Sequence, residues 1–154
     1  MRKSIILLFA FLLLISCRNR INLYVKDEND ISRRNGKWKE EYSSDEGALT
    51  ATGRYRNGEK IGTWKTVFDK KKYQKDIIRK DITKTKKYYP NGKIMERGQS
   101  KLEISDRERH WFYFGPWKFY DESGKLLYIK NYRQGQKTDS ISMIRQSHPA
   151  GRPK

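Results

Sequence analysis

The sequence predicts an all-β fold: an elongated, single-layer antiparallel meander of hairpin repeats, preceded by a signal helix. Three observations predict it. A Gly-x-Trp signature recurs at Gly36–Trp38, Gly62–Trp64 and Gly115–Trp117. Asn-Gly and Ser-Gly dipeptides punctuate stretches that alternate in polarity. The remainder beyond the amino terminus is poor in Leu, Ile and Val, whereas the chain holds ten Tyr and four Trp. Aromatic side chains bury much area each and keep a polar tip for water, so this composition clads a thin sheet better than it fills a globule.

The amino terminus comes first. Arg2 and Lys3 form a short positive region, and residues 5–16 are apolar. A helix of that length covers about 18 Å, well short of a hydrocarbon core of about 30 Å. A signal peptide over residues 1–16 therefore fits better than a membrane span. Leu14-Ile15-Ser16-Cys17 has an aliphatic residue three before the cysteine and a small one directly before it, and Cys17 is the chain's single cysteine. This segment resembles the lipobox of bacterial lipoproteins. The resemblance implies that Cys17 receives a diacylglycerol and becomes the acylated amino terminus, an anchor of two or three chains. Arg18, not aspartate, follows Cys17, which favours the outer membrane of a Gram-negative bacterium. Residues 17–35 read as a polar tether.

The repeats follow over residues 36–137. The tryptophans lie 26 and then 53 residues apart, nearly one period and then two. A degenerate unit is therefore expected between Trp64 and Trp117. Tyr88-Tyr89-Pro90-Asn91-Gly92-Lys93 does parallel Phe119-Tyr120-Asp121-Glu122-Ser123-Gly124-Lys125, without a Gly-x-Trp of its own. Asn57-Gly58, Asn91-Gly92 and Ser123-Gly124 suit tight hairpin turns that need positive φ. Period-two geometry puts Leu49, Ala51, Gly53 and Tyr55 on one face of a strand, and Leu126, Tyr128, Lys130 and Tyr132 on one face of another. Four units result, the third degenerate. Residues 138–154 lack periodicity and read as a disordered tail.

Gly-x-Trp-x-x-aromatic, Gly-Lys-Leu and Tyr-x-x-Gly-x-x-x-Gly together resemble the MORN-repeat variant family, some of whose bacterial members carry an antitoxin-like label. The resemblance covers residues 36–137, best at 36–68 and 115–135. It implies an elongated β-meander used as a scaffold or interaction surface. An exported lipoprotein would not meet a cytoplasmic toxin, so the label does not fit the amino terminus.

The net charge is +17, and removing residues 1–16 takes away only Arg2 and Lys3, which leaves +15. Such a charge attracts polyanions. Residues 69–87 hold nine Lys or Arg against three Asp. Lys70, Lys71, Lys72, Lys75, Arg79 and Lys80 are the expected contacts to anionic lipid, lipopolysaccharide or acidic glycan. The export signal argues against nucleic acid as a partner. Trp38, Trp64, Tyr89, Trp117 and Tyr120 are the repeat aromatics, for packing between units or for binding. His110 and His148 are too far apart in the chain for a metal or catalytic motif, and every glycine is explained by turn geometry rather than by a phosphate loop. The expectation is a non-enzymatic module in the cell envelope, with no cofactor and no metal, tethered by the lipid on Cys17 and engaging an envelope protein or a polyanion.

Overall fold

The computed structural model describes residues 20–44, 47–105 and 108–143. The signal segment, Cys17 and His148 lie outside these residues. Ten strands run through them: β1 (Leu23–Lys26), β2 (Ser32–Ser44), β3 (Gly47–Arg56), β4 (Glu59–Phe68), β5 (Lys71–Arg79), β6 (Ile82–Tyr88), β7 (Ile94–Ile104), β8 (Arg109–Tyr120), β9 (Leu126–Arg133) and β10 (Gln136–Ser142). All lie in one sheet in chain order, each strand antiparallel to its neighbours. The chain thus forms the expected single-layer meander. No helix among the described residues is long and apolar enough to cross a membrane.

Turn chemistry sets the register. Asn57 and Gly58 have φ of 48° and 82°, and Gln134 and Gly135 have 48° and 81°. Positive φ at both central residues is the two-residue turn whose twist matches that of the flanking strands. At Asn91-Gly92 and Ser123-Gly124 only the glycine is left-handed, at 82° and 89°. These are three-residue loops, closed by Gly92 N–H to Tyr89 O at 2.8 Å and Gly124 N–H to Asp121 O at 2.9 Å. The two loops stack on each other. The Tyr89 hydroxyl donates to Tyr120 O at 2.7 Å, Asn91 Nδ2 to Glu122 O at 3.0 Å, and Lys93 Nζ to Ser123 O at 2.7 Å.

The sheet extends beyond the repeat pattern at both ends. β1 and the start of β2 fall in the stretch read as a polar tether. An Asp27 turn joins them, its carboxylate accepting from Asn29 N–H at 2.9 Å and Ile31 N–H at 3.0 Å. Tyr24 then packs edge-on against Trp38, with centroids 5.1 Å apart. β10 carries the sheet to Ser142, into the stretch read as a tail. β1 is only four residues long and β10 is mostly polar, so neither shows the alternation that marks a strand; backbone pairing to a neighbour carries both into the sheet.

Directly paired residues share a face, which assigns every strand position. One face carries nearly all the buried side chains. Trp38, Leu49, Ala51, Tyr55, Trp64, Thr66, Thr85, Ser100 and Trp117 lie on it, and among the described residues Phe112 alone is buried on the other. The sheet coils around this aromatic face. Arg109 of β8 reaches Glu59 of β4 with two bonds of 2.7 Å across three intervening strands.

Candidate cationic binding face

The glycines of Gly-x-Trp are left-handed, with φ of 75°, 68° and 66° at Gly36, Gly62 and Gly115, whereas two of the tryptophans pack on other glycines, of the preceding strand. Trp64 lies over Gly53, and a Cβ built on Gly53 would stand 2.2 Å from the indole. Trp117 lies over Gly98 in the same way, at 2.1 Å. Each indole N–H donates to the carbonyl after that glycine, Trp64 to Arg54 O at 3.2 Å and Trp117 to Gln99 O at 2.9 Å. Tyr55 bridges Trp38 and Trp64 edge-on, with centroids at 5.5 and 5.2 Å. All three tryptophans are buried, so their rings are used within the sheet.

A charged network borders this stack. Glu40 accepts from Arg34 Nη1 at 2.6 Å, from the Tyr55 hydroxyl at 2.7 Å and from Lys60 Nζ at 2.7 Å. Burial pushes the Glu40 carboxyl up, but bonds from Lys60 and Tyr55 outweigh it and hold the group below the usual carboxylate range. Burial, and then the bond to Glu40, push the Tyr55 phenol up to about 12.

The opposite face is built differently. Lys65 pairs with Lys75, Lys75 with Lys86, Lys86 with Arg97, and Arg97 with Lys118. Five successive strands, β4 to β8, therefore each place one cation in a single row across the sheet. At a strand spacing of about 4.8 Å the row is about 19 Å long. A shallow cleft of about 370 Å³ follows it, lined by Lys75, Ile77, Lys84, Lys86, Arg97 and Lys118 among others. Among the described residues, no carboxylate pairs with Lys65, Lys75, Lys84, Lys86, Arg97 or Lys118. Towards the margins of the same face the cations are neutralised, Lys39 by Glu41 at 2.6 Å and Lys101 by Glu103 at 3.0 Å.

The basic stretch 69–87 supplies only part of this surface, through Lys75, Lys84 and Lys86. Alternation and turns disperse the rest. Lys70 and Lys80 sit in the turns at opposite ends of β5, with φ of 60° and 54°. Lys71 and Lys72 lie opposite Phe68 and Val67, on different faces, and the Lys72 ammonium caps the Tyr88 ring at 3.7 Å. Arg79 closes β5. Of the six expected contacts, only Lys75 joins the row. Tyr89 is in the stacked loop, and Tyr120 lies under the Arg97 guanidinium at 5.5 Å.

The row has a sequence signal that the run concealed. Each repeat tryptophan is followed by lysine, at Lys39, Lys65 and Lys118, and Lys86 follows Thr85 at the equivalent position of the third unit. The residue after an inward-facing tryptophan faces outward, so the repeat itself writes the cationic row. His110 is exposed on β8, and among the described residues no group of His, Cys, Asp or Glu could hold a metal. No family model, curated protein or solved structure matches the chain.

Proposed function

We propose that this chain is an envelope lipoprotein, held to the membrane by lipid on Cys17, whose repeat sheet is a non-enzymatic binding module for anionic envelope polymers. The ligand class is anionic lipid, lipopolysaccharide or acidic glycan. One observation carries the reading: five cations face one another directly across β4–β8 without a carboxylate among the described residues to pair with them. Like charges directly opposite each other weaken a sheet, by a few tenths of a kcal/mol or more per pair. A ligand carrying a line of negative charge removes that repulsion and releases its own counterions. The MORN-variant resemblance, with its role as an interaction surface, agrees with a module of this kind. The lipobox resemblance supplies the anchor.

The test compares cations of the row with cations of the same basic stretch that lie outside the row. The mature chain, with Cys17→Ser so that it stays in solution, is cosedimented with phosphatidylglycerol vesicles or lipopolysaccharide at low salt. Each lysine near an anionic surface contributes about 1 kcal/mol, so K75E/K86E is expected to lose at least about tenfold in affinity. K70E/K80E changes the net charge equally but removes turn residues outside the row, and a smaller loss is expected. Equal losses would reduce the interaction to net charge and sink the assignment of the row. Binding should also weaken as salt rises. The anchor is tested separately: C17A should leave the membrane fraction, and a variant that still partitions with membranes would end the lipoprotein reading.

A further inference from the structure

We propose that the cavity left where the third repeat lacks its tryptophan is a binding site for one neutral sugar ring. It lies on the aromatic face, away from the cationic row. Across that face one register row reads Trp38, Gly53, Trp64, Asp76, Thr85, Gly98, Trp117, from β2 to β8. Where two other units place Trp64 and Trp117 over a glycine, β5 and β6 place Thr85 opposite Asp76. A threonine hydroxyl and methyl cannot fill the volume of an indole. The space remaining is a cavity of about 280 Å³, lined by Trp64, Thr66, Asp76, Thr85, Ser100 and Trp111 among others.

Its chemistry is specific. Asp76 sits in the wall, its Oδ1 accepting from the Thr85 hydroxyl at 2.7 Å and its Oδ2 from Gln74 Nε2 at 2.7 Å. Each oxygen keeps a lone pair for a further donor. Ser100 is fully buried in the same wall, and its hydroxyl has no partner. Buried polar groups in folded proteins are nearly always paired, so an orphan beside a cavity marks the place where a guest donor or acceptor is missing. Trp111 and Tyr42 stand at the lining with 53% and 47% of their surface exposed, although both are large aromatics on the packed face. The Arg109–Glu59 clamp, two residues from Trp111, fixes the β8 end there.

Hydroxyl acceptors in the wall and bare aromatic rings beside them are complementary to a sugar, whose hydroxyls donate while its C–H face stacks on a ring. The size suits a single ring, because the volume is at the lower limit of ligand sites. The charge selects a neutral one. Lys60, also at the lining, is already taken by Glu40 at 2.7 Å and by the Trp64 ring at 4.0 Å, which leaves the Asp76 carboxylate to repel anions.

The test uses the full chain in detergent micelles, with saturation-transfer NMR to glucose, galactose, N-acetylglucosamine and glucuronate. A ligand of about a dozen heavy atoms in such a site binds at about millimolar concentration. At least one neutral sugar is expected to receive saturation, and glucuronate to bind at least about tenfold more weakly. Trp111→Ala should lower the affinity at least about tenfold while the circular dichroism stays unchanged, since that ring is half exposed. Thr85→Trp, which refills the vacancy, should abolish binding, and its melting curve shows whether the sheet has folded around the new ring. No transfer to any neutral sugar at about ten times that concentration would leave a cavity that holds water only and would overturn the proposal. So would binding that Trp111→Ala leaves intact, or glucuronate binding as tightly as glucose.

Discussion

The hairpin β3–β4 and the hairpin β5–β6 have the same backbone plan and opposite interiors. In β3–β4 a tryptophan lies on a glycine, a tyrosine stands between two indoles, and an Asn-Gly pair makes the turn. In β5–β6 the corresponding positions are Thr85 on Asp76 and Ile78 in the tyrosine's register, and Lys80-Asp81 makes the turn; Asp69-Lys70 joins the two hairpins. Both nevertheless keep their place in the sheet. Backbone pairing and neighbouring repeats carry the weaker unit, as expected of a quasi-one-dimensional array in which each repeat is supported from both sides. Stability resides in the outer units, which frees the central one to vary its interior and leaves room for a cavity there.

The largest expected effect breaks the strong unit. Trp64 is 2% exposed, and Trp64→Ala should cost about 3–5 kcal/mol in urea unfolding. Thr85→Ala, its counterpart in the central unit, loses one hydrogen bond to Asp76 and should cost only about 1–2 kcal/mol. Equal losses would mean that the two interiors are energetically alike. The glycines are next. Gly53→Ala and Gly98→Ala each put a methyl within 2.2 Å of an indole, and each should cost about 1–3 kcal/mol through overpacking. A relieved double variant, Gly98→Ala with Trp117→Leu, should regain part of that loss if the clash is its source.

Much of this fold could be read in the sequence, because glycine, asparagine and tryptophan have few reasons to recur at fixed spacing outside a repeat of turns and strands. The shared face of Leu49, Ala51, Gly53 and Tyr55 also follows from alternation alone, and the register places it so. The site was harder. A sequence displays neighbours along the chain, whereas the cationic row joins residues ten to twenty-one positions apart, such as Lys65 with Lys75 and Arg97 with Lys118. A dense basic run attracts notice, but in a strand it divides between two faces and two ends. β1, four residues long, and β10, mostly polar, are edge strands specified by what they pair with more than by their own pattern.

Tyr55 distinguishes the outer unit by pH. In an unfolded chain its phenol ionises near 10, and in the sheet it is held up to about 12 by burial and by the bond to Glu40. The folded state therefore holds the proton more tightly. This contribution is fully present below pH 10 and disappears as pH rises towards 12. Stability measured by denaturant titration should fall across that window, and Tyr55→Phe should flatten the fall. At neutral pH the same variant removes the bonds to Arg34 and Glu40 and should cost about 1–2 kcal/mol. Ile78, in the equivalent register of the central unit, has no ionisable group, so a fall of equal steepness in Tyr55→Phe would show that the titrating group lies elsewhere.

The smallest expected effect repairs the turn that joins the two hairpins. Asp69 and Lys70 hold φ of 45° and 60°, the same left-handed pair that Asn57 and Gly58 hold at 48° and 82°. Left-handed backbone strains a residue that carries a Cβ, most of all at a position such as Lys70 where glycine would relax it. Replacing Asp69-Lys70 by Asn-Gly should raise stability by about 0.5–1 kcal/mol, and the reverse exchange at Asn57-Gly58 should lower it by a similar amount. The urea midpoint should move in both cases without a change in slope, since neither exchange alters the surface that unfolding exposes. Lys70 lies in a turn outside the cationic row, so the stabilised variant should bind anionic vesicles nearly as well as the parent chain does. If the exchange instead removed vesicle binding, the charge at the strand end would matter more than the row, and the contrast between the two hairpins would be one of binding as well as of packing.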